Sequence, residues 1–150
     1  MLSQVINTLI RSANQAADDV LLEALDLGTD SEKSLVLGAL VKRGTVRGLR
    51  GVIRRAATLS EALLAPLVES IRAFQPALRE CGRSDDRDER LGAIRLVDLG
   101  RQGRLTYLLS DSLNGSDEVL QRAAVEALVS LARWASGSTT PQAIDDQIEP

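Results

Sequence analysis

One kind of segment, met four times, restricts this chain more than any other feature. It is clearest from Ser116 to Ala135, where turn residues give way to EVLQRAAVEALVSLARWA. Val119, Ala123, Leu128 and Leu131 supply apolar positions at helical spacing. Ala123, Ala124 and Ala127 are small enough to let a neighbouring helix come close. Upstream the unit recurs in weaker form. Helix caps are expected at Asp30, Thr58, Asp86 and Asp117, about 28 to 31 residues apart, within the range of helical repeat proteins. Four apolar columns keep a matching offset. In the helix after each cap these are Leu37, Ala65, Ala93, Ala124 and Leu40, Val68, Leu96, Ala127. In the helix before it they are Leu21, Leu49, Ala77, Leu105 and Leu25, Ile53, Cys81, Leu109. Stacked helix pairs need such columns, because each pair buries its apolar face only against its neighbours.

The chain divides accordingly. Leu2 to Ala13 reads as an amphipathic helix with Val5, Ile6, Leu9 and Ile10 as its stripe. It has no counterpart in the repeat and suits a capping role. Ala17–Leu27 and Lys33–Arg43 make the first pair, with Val20, Leu21, Ala24 and Leu25, then Leu37, Leu40 and Val41, turned inward. Gly28 and Gly44 end these helices, and Thr29 to Glu32 has capping-box spacing. Thr45–Ala57, with Val46, Leu49, Ile53 and Ala56 inward, precedes a helix from Leu59 to about Ala73. Pro66 is expected to kink that helix or mark its first turns. Pro76 opens a short segment ending at Cys81-Gly82. A helix capped by Asp86 runs to Leu99, and Gln102–Leu113 leads to the last cap. From Ser136 the residues turn to Gly, Ser, Thr and Pro, then to acids, so 1–135 reads as the folded domain and 136–150 as a flexible acidic tail or linker.

These units resemble short HEAT or HEAT-like repeats over about Ala17 to Ala135, most clearly at Asp117-Glu118-Val119 with Ala123 to Leu128. In that family a first helix packs behind a second, a turn Asp precedes the second, and an Ala- and Leu-rich stripe runs along it. The basic residue that often follows the turn Asp is matched by Arg122, loosely by Lys33 and Arg90, and by nothing in the second unit. The resemblance implies an all-α fold: a right-handed superhelix of about four helix pairs plus an N-terminal capping helix. The second helices would line a concave side with Lys42, Arg95, Asp98, Arg122, Glu126 and Arg133 facing outward. Some HEAT-like proteins are DNA glycosylases, but none of their catalytic sets maps onto this chain. The pattern specifies a fold more than a function.

Composition narrows the chemistry. The chain has no His, removing the commonest general base and metal ligand. Its one Cys excludes an internal disulfide and a zinc cluster, and Cys81, in an apolar column, reads as core. A formal charge of −3 provides no global basic field. No apolar run approaches a membrane span, and the N-terminus lacks the layout of a secretory signal. The expectation is a cytoplasmic protein with no catalytic, cofactor-binding or metal-binding residues.

The candidate partner-binding residues are Arg43, Arg47, Arg50, Arg54 and Trp134. Lys33 to Ser60 contains no acid, and the four arginines recur at helical spacing, which places them on one helix face. Such a stripe suits an acidic protein surface or a phosphate backbone; the plain alternative is a solvated face with its counter-ions elsewhere. Trp134, at the end of the last helix, either plugs the open end of the stack or anchors a partner or a second copy of the chain. Asp85, Asp86, Asp88 and Glu89 resemble a cation site, but acids also favour a helix N-terminus, and the cap reading is preferred. Gly48 and Gly51 read as points of close helix approach. With aromatics at 2%, base stacking is poorly supplied. A protein partner is the first expectation and a duplex backbone the alternative. An enzyme would instead show a deep acid-lined pocket near Trp134 or Tyr107.

Overall fold

The computed structural model describes residues 2–137. They form nine α-helices and one turn of 3-10 helix, with no strand. The helices are α1 (Leu2–Arg11), α2 (Ala16–Leu27), α3 (Asp30–Arg43), α4 (Val46–Ala56), α5 (Glu61–Val68), α6 (Ile71–Gly82), α7 (Arg87–Leu99), α8 (Thr106–Leu113) and α9 (Glu118–Gly137). The last runs two residues past the expected domain boundary; the rest of the expected tail, 138–150, lies outside the described residues. No described helix is long and apolar enough to cross a membrane.

Local chemistry sets the helix ends. The Thr29 hydroxyl accepts from the Glu32 N–H while the Glu32 carboxylate reaches back, completing the capping box. Thr45 and Ser60 accept from the N–H three residues on. Asp86 Oδ1 accepts from Asp88 and Glu89, and Asp117 Oδ1 from Val119 and Leu120. Each satisfies donors that the first helical turn leaves unpaired. Gly44 ends α3 with φ +64°, the left-handed conformation that glycine adopts without steric cost.

The columns in the first helices of the pairs are all buried: Leu21, Leu49, Ala77, Leu105, and Leu25, Ile53, Cys81, Leu109. The columns in the second helices fail in one unit. Ala65 is exposed and Val68 only half-buried, while Leu64 and Leu67 face the core. Two caps fall elsewhere than expected: Thr29 and not Asp30, which opens α3, and Ser60 and not Thr58, whose hydroxyl donates instead to the Arg55 carbonyl. Counted from the observed caps Thr29, Ser60, Asp86 and Asp117, the seventh residue is Val36, Leu67, Ala93 or Ala124, and all four are buried. Val5, Val20, Val46 and Val119, expected inward, are exposed; their buried neighbours Ile6, Leu21 and Leu22, Leu49, and Leu120 take the core positions. The expected helix from Leu59 to Ala73 is broken at Glu69-Ser70, and its second part joins the Pro76 segment as α6. Pro66 and Pro76 both lie on exposed positions inside their helices, so the carbonyl that each leaves without an N–H partner faces water.

The pairs α2 with α3, α6 with α7, and α8 with α9 pack side by side, α2, α4 and α6 pack in series, and α1 lies against α2 and α3. The second pair departs from this scheme. With α5 only 8 residues long, α7 makes its most extensive contact with α4. Gly92 permits it: a Cβ there would overlap the Ile53 carbonyl oxygen. Gly48 and Gly51 play a milder version of this role, facing Asp18 and Leu22 of α2. Phe74 is the one aromatic in the described core.

Candidate functional site

The arginines expected on one face are divided by Gly44. Arg43 is the last residue of α3, and its side chain is only 4% exposed. Its Nε donates to Asp18 Oδ1 at 2.7 Å, and its Nη atoms donate to the Leu9, Ser12 and Asn14 carbonyls. It therefore closes the C-terminal end of α1 and neutralises a fully buried carboxylate. Arg43 leaves the list of candidate binding residues. Arg95, expected to face outward, works the same way: its Nη1 collects the Ala56, Ala57 and Leu59 carbonyls at the end of α4.

Arg47, Arg50 and Arg54 do share the outer side of α4, but each has an acid beside it. Arg47 forks onto Asp19. Arg50 meets Glu80 at 3.4 Å and Glu89 at 2.9 Å, and the Glu89 hydrogen bond raises the guanidinium pKa. Arg54 pairs with Asp86 at 3.3 Å, and neighbouring Arg55 with Asp26 at 2.6 Å. The counter-ions missing from residues 33–60 come from α2, from Glu80 of α6, and from the cap and first turn of α7. Two of the acids suspected as a cation site are thus an ion-paired helix cap, and among the described residues no cluster of His, Cys, Asp or Glu could hold a metal. Asp117 follows the same pattern: burial works against its ionisation, but Arg87 and two backbone N–H groups outweigh that and lower its pKa.

Cys81 is fully buried, and burial pushes its thiol up to about 12. A thiol so protonated is a packing group and not a nucleophile.

A groove lies between α7 and α9. Leu91, Ile94, Ala123 and Ala127 line it, Ala57 closes one side, and Arg95, Asp98 and Glu126 stand around it; its volume is about 430 Å³. Glu126 also borders two adjoining hollows, one toward Val119 and Arg122, the other toward Val129, Arg133 and Trp134. The three form a continuous surface along α9. Trp134 is 47% exposed and does not plug the stack. The Arg101 guanidinium lies 5.7 Å from its ring centroid, within cation–π range. Arg101 itself holds φ +52°, the one non-glycine residue with positive φ among those described. The hollow beside Trp134 is an open surface feature with Glu126 as the acid among its lining residues.

The described residues thus define an all-helical protein with an apolar-floored groove and an internally neutralised basic helix. Comparison with protein-family models, curated proteins and solved structures finds no match for this chain.

The sequence alone singled out neither Leu91 and Ile94 as groove floor nor Gly92 as the tightest crossing. The available signal was the run Leu91-Gly92-Ala93-Ile94, where a glycine interrupts an apolar stripe in mid-helix against its own propensity.

Proposed function

We propose that this chain is a non-catalytic scaffold of HEAT-like build, a right-handed helical stack in the cytoplasm, that binds a protein partner along the α7–α9 groove with Trp134 as an anchor. The groove is the observation that carries the reading. An apolar floor framed by charges of both signs suits a peptide segment or helix, and exposed tryptophan is a favoured interface anchor. The repeat reading draws support from a set of polar pairs between adjacent units. Arg47–Asp19, Arg55–Asp26, Gln75–Gln102, Arg50–Glu80, Arg87–Asp117 and Arg101–Ser130 are separated by 27 to 30 residues. The duplex-backbone alternative gains nothing from α4, whose arginines already have acid partners within the chain.

Affinity capture from the source cell with wild type, Trp134→Ala and Glu126→Arg tests this. Both side chains are exposed, so the fold tolerates the changes. Loss of the same captured protein from both variants supports the groove; an unchanged set of captured proteins removes it.

A further inference from the structure

Two helices after α4 in the chain, α6 carries exposed arginines that have no ion pair among the described residues. Arg72, Arg79 and Arg83 of the α6 segment are exposed, and none forms an ion pair with an acid among the described residues. Their spacing of seven and four residues puts them on one face. The neighbouring strip of chain adds a fourth cation. Gln75 Nε2 donates to Gln102 Oε1 at 3.0 Å, and the Arg83 guanidinium lies 5.5 Å from the Tyr107 ring centroid. The segments 75–83 and 102–107 therefore run side by side in the same direction. Arg79 and Arg104 each fall, in sequence, between these two contacts. Arg104 is likewise exposed and free of acid partners among the described residues.

We infer that this ridge between α6 and α8 is a docking surface for an acidic peptide segment of a partner protein. Arg72 to Arg83 spans about 16 Å at the helical rise of roughly 1.5 Å per residue, the length of about five extended residues. Guanidinium groups present fork-shaped donors that match carboxylates. The contrast with α4 gives the charge argument: there every arginine meets an acid of its own chain, and here none does among the described residues, which leaves four clustered guanidinium groups open to a partner's carboxylates. A nucleic-acid duplex fits less well. Four arginines fall short of the roughly six to ten phosphate contacts of a typical duplex binder, and the net charge of −3 repels a long polyanion.

The test is fluorescence anisotropy of a labelled oligo-glutamate peptide against the full chain at low salt, with oligo-glutamine and a short DNA duplex as comparison probes. Binding of oligo-glutamate alone, weakening with salt, is expected. Arg79→Glu/Arg104→Glu should lower its affinity about tenfold or more, since two charge-assisted contacts become repulsions. Arg11→Glu/Lys42→Glu, on α1 and α3 and away from both surfaces, should leave it unchanged. Because the altered side chains are exposed and unpaired, both variants should melt as wild type does. The inference is overturned by equal affinity in the α6–α8 variant, by equal binding of oligo-glutamine, by equal loss in the α1–α3 variant, or by a duplex that binds this ridge more tightly than the peptide. The groove-and-Trp134 reading is separate and survives failure here.

Discussion

Replacing Gly92 with alanine adds a single methyl group at the point where two helices meet through backbone alone. The new Cβ would overlap the Ile53 carbonyl oxygen, and an ordinary van der Waals separation of roughly 3.5 Å requires α4 and α7 to part by about an ångström or more. Overpacking against side chains costs about 1–3 kcal/mol because they can turn aside. A carbonyl inside a helix cannot, so the cost lies at or above the top of that range. The higher helix propensity of alanine returns about 1 kcal/mol. A net loss of about 2 kcal/mol or more remains, a fall in Tm of about 4–8 °C for a protein of this size. Gly38 supplies the internal control. It lies exposed within α3, and a methyl group there would have nothing within 4 Å, so Gly38→Ala should gain up to about 1 kcal/mol from propensity alone. Thermal and urea denaturation of the two variants reads both signs. If Gly92→Ala melts at or above wild type, the tight crossing of α4 and α7 is wrong, and with it the account of why α5 is bypassed.

Four further outcomes are expected. Arg43→Met should destabilise by about 3–5 kcal/mol, the usual consequence of leaving one partner of a buried pair uncompensated, while adding Asp18→Asn should recover part of that loss; additive costs in urea melts would refute the coupling. Ala124→Arg places a charge at a fully buried position, where it has no partner, and should abolish cooperative melting of α8 and α9, which hydrogen exchange would reveal as lost protection there. Cys81 should react with a thiol reagent only at the rate of unfolding, because its thiol is buried and protonated; rapid labelling of the native protein would contradict its core position. The Asp26 pKa is lowered chiefly by the Arg55 hydrogen bond, with burial opposing. A depressed folded-state pKa contributes stability above the unfolded-state value, lost as pH falls through the folded one. The exposed pair contributes at most about 1 kcal/mol, so Asp26→Asn should flatten slightly the loss of Tm below about pH 4; an identical acid profile would count against it.

The helical class, the capping-box spacing of Thr29 to Glu32, the caps at Asp86 and Asp117 and the buried columns of the first helices are legible in the chain, because these depend on sequence neighbours or on uninterrupted apolar spacing. The sequence also suggested that the acids at 85–89 serve a helix end, a local effect of the same kind. Contacts between distant parts of the chain fix the rest. A hydroxyl at Thr58 or Ser60 can cap a helix equally well, and a register chosen from the wrong one turns Ala65 toward water and Leu64 inward. Gly44 already separates Arg43 from Arg47 in the sequence, but only the fold takes one into a buried pair with Asp18 and leaves the other at the surface. Whether an arginine is a free charge depends on acids some thirty residues away, and that is why α4 reads as a basic stripe in the chain and as a neutral one in the fold, while Arg72 and Arg79 of α6 have no ion pair among the described residues.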